Sequence, residues 1–305
     1  AIKEFKNLGC KCVGVKSVPC SWYSLKGLKS KIKLPLFILK LFIKKKIFYK
    51  KLVDIVKTEK PDVIHTNTGV VHEGFKVSKK LGLPHIWHLR EYQLKDFEKY
   101  PFPSMNKFKK MLRKSYTVCI TKDIQMYFGL NNCSKSFAIY NPIMPENYSI
   151  KENEELLKYP YFLVANRLSK EKGIEDTINA FSEFRKNHTS YKLLICGFGS
   201  ESYTKYLMAL CSEKHLDKSI DFLGYTESKR IYELMYNSKA LVVASYNEGF
   251  GRMTAEANML GVPVIGRNTA GTKEIVEQTN GGFLFLKKEE ISFISTSPGA
   301  WPTAR

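Results

Sequence analysis

The second half of the sequence alternates short apolar runs with segments of helical period. Four runs rich in valine, leucine, isoleucine or phenylalanine predict buried strands. These runs are residues 161–165, 192–196, 220–225 and 240–244. Between them, apolar side chains recur every three or four residues, as Ile174, Ile178 and Phe181 do. Because strands that alternate with helices pair in parallel, with helices on both faces of the sheet, the pattern predicts an α/β fold.

One strand-to-helix connection carries an unusual set of polar residues. Residues 247–256 read Asn-Glu-Gly-Phe-Gly-Arg-Met-Thr-Ala-Glu and follow the apolar run 240–244 closely. The first N–H groups of a helix have no intrahelical acceptor, and glycine lets a ligand approach the backbone, so a phosphate can bind here. The carboxylates of Glu248 and Glu256 flank the same turn and suit neutral hydroxyl groups. A nucleotide-sugar, with central phosphate and sugar hydroxyls on both sides, fits this arrangement.

Residues 248–258, 261–266 and 271–275 together resemble the donor-binding segment of the retaining glycosyltransferases of family four. That family has two glutamates with seven residues between them, as Glu248 and Glu256 have here. The resemblance is strongest in the second half of the chain and points to the bacterial capsule and cell-wall polysaccharide type. It implies the α/β GT-B architecture, in which two Rossmann-like domains with parallel sheets face each other across a cleft.

The length of the chain and the position of its turn residues predict two domains. A chain of 305 residues suits two domains better than one core. We expect an acceptor-side domain at 1–142, which contains a strand at 11–15, a nucleotide-sugar-binding domain at 143–288, and an atypical tail at 289–305. In the resembled family, a strand and a glycine-rich loop precede the first of these segments, and a long helix follows the second domain. The chain is therefore expected to be truncated at both ends.

Two cations follow the first strand of the second domain, at Arg167 and Lys172. A guanidinium offers a planar fork to phosphate oxygens, and an ammonium acts as a point charge. The resemblance implies that both clamp the donor diphosphate, that Glu248 contacts the donor sugar as a catalytic residue, and that Glu256 contacts the ribose. The donor-binding residues that it implies are Arg167, Lys172, Gly251, Arg252, Met253, Thr254, Glu256 and Tyr225.

Two strand ends in the first half also carry polar side chains. One delivers His65 and Asn67, and the next ends in His88, Arg90 and Glu91. Ligands of open α/β sheets gather at the carboxyl ends of strands. The second of these segments is similar to a Pro-His-x-Trp-His-x-Arg-Glu run of bacterial capsule and cell-wall glycosyltransferases. That similarity implies that His88 lies near the transferred sugar as a catalytic residue, and the other four residues are predicted to line the acceptor side of the cleft.

The net charge of +20 lies entirely within residues 1–142, where 29 lysines and arginines stand against 9 acidic residues. The densest part is 26–60, whose apolar run 34–43 is shorter than the ~20 residues of a membrane span. Lysines interleaved with apolar residues there, and more briefly at 107–114, fit a helix on an anionic membrane surface. A core helix with a solvated lysine face explains the longer segment equally well. The charge also suggests a nucleic-acid binder, although no RNA or DNA motif appears.

The sequence therefore predicts retaining transfer of a sugar from a UDP-sugar or GDP-sugar to a glycan or lipid-linked acceptor in surface polysaccharide synthesis. No Asp-x-Asp motif occurs, so no metal is expected at the donor. No cofactor is expected either. Seven irregularly spaced cysteines and no secretory segment predict a cytoplasmic protein, peripheral on the inner face of the plasma membrane. The alternative is a non-catalytic nucleotide-sugar-binding remnant.

Overall fold

The computed structural model describes residues 2–17, 21–23, 28–97, 99–143, 150 and 152–287. The chain divides into two compact units, Ala1–Ile139 and Tyr140–Arg305. This division falls slightly before the predicted boundary after Pro142, which stays a prediction. The tail predicted at 289–305 lies outside the described residues.

The first unit mixes short strands with helices of very different lengths. In chain order its elements are α1 Ile2–Asn7, β1 Ser21–Tyr23, α2 Leu28–Glu59, β2 Ile64–Thr66, α3 Glu73–Leu81, β3 His85–Leu89, α4 Leu94–Phe97, β4 Lys99–Pro101, α5 Met105–Leu112, β5 Tyr116–Cys119, α6 Lys122–Tyr127 and β6 Ser136–Ala138. Four strands form a parallel sheet in the order β2-β3-β5-β6, while β1 and β4 form a separate antiparallel pair. The basic segment 107–114 overlaps α5, which buries Phe108 and Leu112.

The prediction of a strand at residues 11–15 is wrong. These residues have no regular secondary structure, and no sheet of the described part of the chain includes them. A strand needs a hydrogen-bonded neighbour to satisfy its backbone groups, and this segment is mostly exposed instead. Composition alone does not reveal whether such a neighbour exists.

The long helix α2 has apolar side chains on two sides. One side packs into the unit and buries Leu41, Phe48, Val53 and Val56, the last two against Val77 of α3. The other side leaves a stripe more than half exposed. This exposed stripe comprises Leu36, Leu39, Phe42, Ile43 and Ile47. The buried side agrees with the interpretation as a core helix, whereas binding to a membrane surface stays a prediction. Among the described residues, no helix has the length and hydropathy that a membrane span requires.

The second unit follows the predicted alternation of strands and helices. Its elements are α7 Glu154–Leu157, β7 Tyr161–Ala165, a 3₁₀ turn Lys170–Lys172, α8 Ile174–Arg185, β8 Lys192–Cys196, α9 Glu201–Glu213, β9 Ile220–Gly224, α10 Ser228–Tyr236, β10 Ala240–Val243, α11 Arg252–Met259, β11 Val264–Arg267, α12 Ala270–Thr279 and β12 Gly282–Phe285. Side chains alternate between the faces of the sheet, so that Phe162 and Val164 enter one core cluster and Leu163 enters another. Burial on both faces explains why the strands are uniformly apolar.

The six strands of the second sheet are all parallel and run in the order β12-β11-β10-β7-β8-β9. The chain starts in the middle at β7, proceeds outward to β9, and then returns to the other side of β7 as β10. The loops that leave neighbouring strands β7 and β10 consequently diverge to opposite faces. Ligands of open α/β sheets bind at such a switch point, outside the carboxyl ends of the strands.

Candidate active site

The loops at this switch point carry an ion pair between Lys172 and Glu248. Lys172 Nζ donates to Glu248 Oε2 at 2.8 Å, with the two side chains only 16% and 22% exposed. Lys172 ends the 3₁₀ turn after β7, and Glu248 lies between β10 and α11. Partial burial makes such a pair stronger than one on the open surface. Two of the residues predicted to share one ligand are therefore in direct contact.

Arg167 belongs to the same loop as Lys172 but has a different partner. Its Nη2 donates to Glu171 Oε1 at 3.0 Å, and its side chain is 62% exposed. A cavity of about 770 Å³ opens beside it, lined also by Phe198 and Tyr203. Exposed ion pairs contribute little to stability, so the guanidinium can leave Glu171 for a phosphate at small cost. Its role at the diphosphate stays a prediction.

Glu256 is 1% exposed and is held by two donors. Its Oε1 accepts from Arg252 Nε at 2.7 Å and from the Tyr232 hydroxyl at 2.9 Å. The hydrogen bond to Glu256 raises the pKa of Arg252, whereas burial is the main reason that the pKa of Tyr232 is raised. Sequence reasoning missed Tyr232, because an aromatic residue in a helix gives no sign that its hydroxyl reaches a carboxylate. The contact of Glu256 with ribose stays a prediction.

The backbone turn before α11 depends on two glycines. Gly251 is the N-cap of α11 at φ +84°, a left-handed conformation that glycine adopts without strain. A Cβ there would lie 3.2 Å from the carbonyl carbon of Gly271, in the first turn of α12. Gly271 N–H also donates to the Glu248 carbonyl oxygen at 2.9 Å. The amino ends of α11 and α12 therefore meet beside Glu248.

The remaining residues predicted to bind the donor are Met253, Thr254 and Tyr225, and they differ in burial. Met253 packs against the core, and Thr254 is fully buried with no hydrogen-bond partner for its hydroxyl. Since a buried unpaired polar group costs about 1–3 kcal/mol, this hydroxyl is an unusual feature of the turn. Tyr225 is 75% exposed, and its ring centroid lies 6.3 Å from that of Phe198. Their donor-binding roles stay predictions.

In the first unit, the imidazole rings of His65 and His88 stack at the carboxyl edge of the sheet. Their centroids are 5.6 Å apart with an interplanar angle of 10°. His88 Nε2 is buried without a hydrogen-bond partner. The pKa of His88 is lowered, first by burial and then by the charges of Arg90 and His65. His88 therefore favours its neutral form, which can accept a proton or a hydrogen bond.

The other polar residues of this edge contact one another or the loop after β2. Arg90 Nη1 donates to Asn67 Oδ1 at 3.3 Å. Glu91 Oε1 accepts from the Thr68 hydroxyl at 2.6 Å and from Gly69 N–H at 2.7 Å. Glu91 thus fixes the loop, whereas Arg90 and Asn67 are exposed. Their predicted acceptor-side role stays a prediction, and no cluster of metal-ligating side chains occurs among the described residues.

Comparisons with known proteins agree with this architecture. The family model described as "Glycosyl transferases group 1" matches residues 147–295. The N-acetyl-alpha-D-glucosaminyl L-malate synthase of Bacillus anthracis is 28% identical over 163 residues, which are 53% of this chain and 40% of that protein. The capsular polysaccharide biosynthesis glycosyltransferase CapM of Staphylococcus aureus is 24% identical over 265 residues, 78% of this chain and 66% of that protein. The structure of Anabaena Alr3699/HepE in complex with UDP superposes with a TM-score of 0.72 at 20% identity, covering 82% of this chain and 71% of that one.

Two α/β units, each built on a parallel sheet, define a protein of the GT-B fold. The segment 147–295 and the relatives make this chain similar to the glycosyl transferases of group 1. The match spans 40% of the length of the Bacillus relative.

Proposed function

We propose that this chain transfers a sugar, with retention of anomeric configuration, from a nucleoside diphosphate sugar to a glycan or lipid-linked acceptor in surface polysaccharide synthesis. CapM acts in capsular polysaccharide biosynthesis, and the HepE structure holds UDP. The HepE structure supports a UDP-sugar, ahead of a GDP-sugar, as the first donor to test. We propose that neither a metal nor a cofactor takes part.

The contact between Lys172 and Glu248 at the switch point carries this proposal. It sets a cation and a carboxylate side by side, 2.8 Å apart and largely shielded from solvent. The ammonium suits the diphosphate and the carboxylate suits the hydroxyls of the donor sugar, which lie next to each other in a nucleotide-sugar. The free N–H groups of α11 add donors for the same diphosphate.

In the proposed reaction, an acceptor hydroxyl forms a bond to the anomeric carbon as the bond from that carbon to the diphosphate breaks. Attack occurs on the face that the diphosphate leaves, so the configuration is retained, and the departing phosphate oxygen takes the proton of the hydroxyl. Lys172 and Arg167 stabilise the charge that develops on the diphosphate. Charged groups and hydrogen-bond donors that are fixed in position before the reaction usually make the largest single contribution to lowering the activation free energy.

The proposed location is the inner face of the plasma membrane, with a cytoplasmic donor. The exposed stripe of α2 supports it, because large contiguous apolar surface is unusual on a protein that has no partner. Lysines border this stripe at Lys40, Lys44 and Lys46. Apolar side chains flanked by lysines bind anionic bilayers, with about 1 kcal/mol from each cation near the surface.

Tyr232 provides a test of the ribose contact. Tyr232→Phe removes one of the two donors that hold Glu256, so we expect KM for the ribonucleotide donor to rise about tenfold with kcat unchanged. A donor that lacks the ribose 2′-hydroxyl should be affected much less, because it has no such contact to lose. Steady-state kinetics with both donors measure this, with Tyr236→Phe on the same helix as the control. An equal rise in KM for both donors would argue against the ribose contact.

Thermal unfolding in the presence of UDP- and GDP-sugars tests the function itself. One donor should stabilise the chain, by about 2.7 kcal/mol at a hundred times its Kd, and should release nucleoside diphosphate on incubation. Stabilisation without release would support the non-catalytic remnant. If no nucleotide-sugar stabilises the chain, the proposal is wrong, and tight salt-sensitive DNA binding would then favour the nucleic-acid alternative.

A further inference from the structure

Arg267, at the carboxyl end of β11, joins two other elements near the switch point of the second sheet. Its Nη2 donates to Asp176 Oδ2 at 2.6 Å, and its Nε donates to the Ala244 carbonyl oxygen at 2.9 Å. Asp176 lies in the first turn of α8, and Ala244 directly follows β10. The side chains of Arg267 and Asp176 are only 12% and 14% exposed. One shielded guanidinium therefore connects the start of α8 to the end of β10.

Tyr246 belongs to the same network and lies in the loop that carries Glu248. Its hydroxyl donates to Asp176 Oδ2 at 2.8 Å, and this hydrogen bond, ahead of burial, raises the pKa of Tyr246. The guanidinium carbon of Arg267 lies 4.3 Å from the ring centroid of Tyr246 and 5.1 Å from that of Phe285 in β12. Two aromatic rings and two oxygen acceptors thus fix the position of Arg267.

The network also contacts the 3₁₀ turn that ends in Lys172. Tyr246 N–H donates to the Glu171 carbonyl oxygen at 2.9 Å, which joins the loop after β10 to this turn. Gly173 follows the turn, and a Cβ there would overlap the Ala244 carbonyl oxygen. The two loops of the switch point are therefore in backbone contact, beside the oxygen that the guanidinium binds.

The geometry of the Arg267 ion pair is more informative than its contribution to stability. Burying two charges costs desolvation free energy that offsets their attraction. The planar fork of a guanidinium nevertheless binds two acceptors in a defined orientation. One acceptor, Asp176, follows the loop of Lys172, and the other, Ala244, precedes the loop of Glu248. Those two loops bring Lys172 Nζ within 2.8 Å of Glu248 Oε2.

We propose that Arg267 is a positioning residue that sets the distance between Lys172 and Glu248. It acts through Asp176 on the side of Lys172 and through Tyr246 on the side of Glu248. This role rests on the proposed function, because Lys172 and Glu248 are the side chains proposed to contact the donor. Such groups stabilise developing charge without reorganisation when surrounding residues hold them in place.

The ion pair between Lys172 and Glu248 gives a test that does not depend on activity. Urea midpoints of Lys172→Met, Glu248→Gln and the double variant show whether the two side chains interact, because interacting residues have non-additive effects. In the chain that retains Arg267, the double variant should lose less than the sum of the two single losses. In the Arg267→Met background, the two losses should add. A merely structural role of Arg267 would lower every midpoint and leave the non-additivity unchanged.

Steady-state kinetics measure the consequence for sugar transfer. Arg267→Met should lower kcat about 30-fold with KM for the donor nearly unchanged, as expected for a displacement of somewhat less than 1 Å. In the Lys172→Met background the same substitution should cost only about threefold, because the side chain that it positions is already absent.

Tyr161→Phe is the matched control for a loss of stability in the same unit. Tyr161 begins β7, at the amino-terminal end of the strand, and its hydroxyl donates to the Leu234 carbonyl oxygen at 2.7 Å. Removing this buried hydrogen bond should lower the urea midpoint without changing kcat.

Three outcomes would overturn the positioning role. They are additive losses in the chain that retains Arg267, non-additivity that persists in the Arg267→Met background, and a fall in kcat on Arg267→Met that is equal with and without Lys172. The urea midpoints separate this role from the proposed function. If the unaltered chain transfers no sugar but the midpoints behave as expected, the proposed function is wrong and the positioning of Lys172 and Glu248 by Arg267 is supported.

Discussion

Lys172→Met is expected to lower kcat/KM for sugar transfer about 100- to 1,000-fold, the usual effect of losing one preorganised group that stabilises developing charge. Methionine keeps the length of the side chain but cannot stabilise the leaving diphosphate. It also leaves Glu248 without its 2.8 Å partner. Because both side chains are partly exposed, the loss of stability should be modest, about 1 kcal/mol. Initial rates and urea unfolding of the same preparation separate the two effects.

A control for this variant lies at the amino-terminal ends of the strands of the same sheet, away from the switch point at their carboxyl ends. Lys192, at the amino end of β8, pairs with Asp221 at 3.1 Å, so Lys192→Met removes a comparable ion pair away from the switch point. It should retain normal turnover. If Lys172 and Glu248 act as a unit, Lys172→Met combined with Glu248→Gln should lose no more activity than the worse single variant. Normal turnover by a folded Lys172→Met protein would refute the proposed role.

Gly271→Ala is expected to destabilise the second unit by about 1–3 kcal/mol, as overpacked positions generally do. A Cβ at Gly271 would overlap the carbonyl oxygen and carbon of Phe250. Both are backbone atoms, so the turn between Glu248 and Gly251 has to move. Displacing a binding group by about 1 Å can cost roughly 100-fold in rate. We therefore expect a lower urea midpoint together with a loss of activity about 100-fold.

The control for this prediction is Gly14→Ala. Gly14 lies in an exposed segment, and nothing is within 4 Å of the position that its Cβ would occupy. Its unfolding free energy should stay within about 0.5 kcal/mol of the unaltered protein, since it meets no neighbour. If the Gly271→Ala variant had an unchanged urea midpoint and an unchanged rate of sugar transfer, the turn would accommodate the methyl group without loss of stability, and the prediction would be wrong.

Periodicity predicted most of the second unit. The runs at β7 and β8 match the predicted strands to the residue, and β9 ends one residue before the predicted run does. Parallel strands buried on both faces have to be apolar throughout, which makes them visible in the sequence. The strand order was not predicted, because it depends on pairing between distant segments.

The same limit applies to the candidate site. The resemblance placed Lys172 and Glu248 at one ligand, but it did not predict that they form an ion pair with each other across 76 positions. It also did not predict that Tyr232 donates to Glu256, 24 positions away. Contacts over such separations arise from the fold and have no local signal. The sequence likewise could not indicate that α2 has one buried and one exposed apolar side, because both sides contain the same residue types.

Gly251 and Gly271 bring the amino-terminal ends of α11 and α12, the positive ends of their helix dipoles, next to each other. Each macrodipole contributes roughly half an elementary charge at its amino end, so the two together approach the charge of one lysine. This charge belongs to the backbone, which means that it neither titrates nor disappears when a side chain is replaced. Where it is shielded from solvent, salt also screens it less than an exposed cation. An anion at this turn would therefore be attracted over a wide range of pH and ionic strength, even while Glu248 neutralises Lys172.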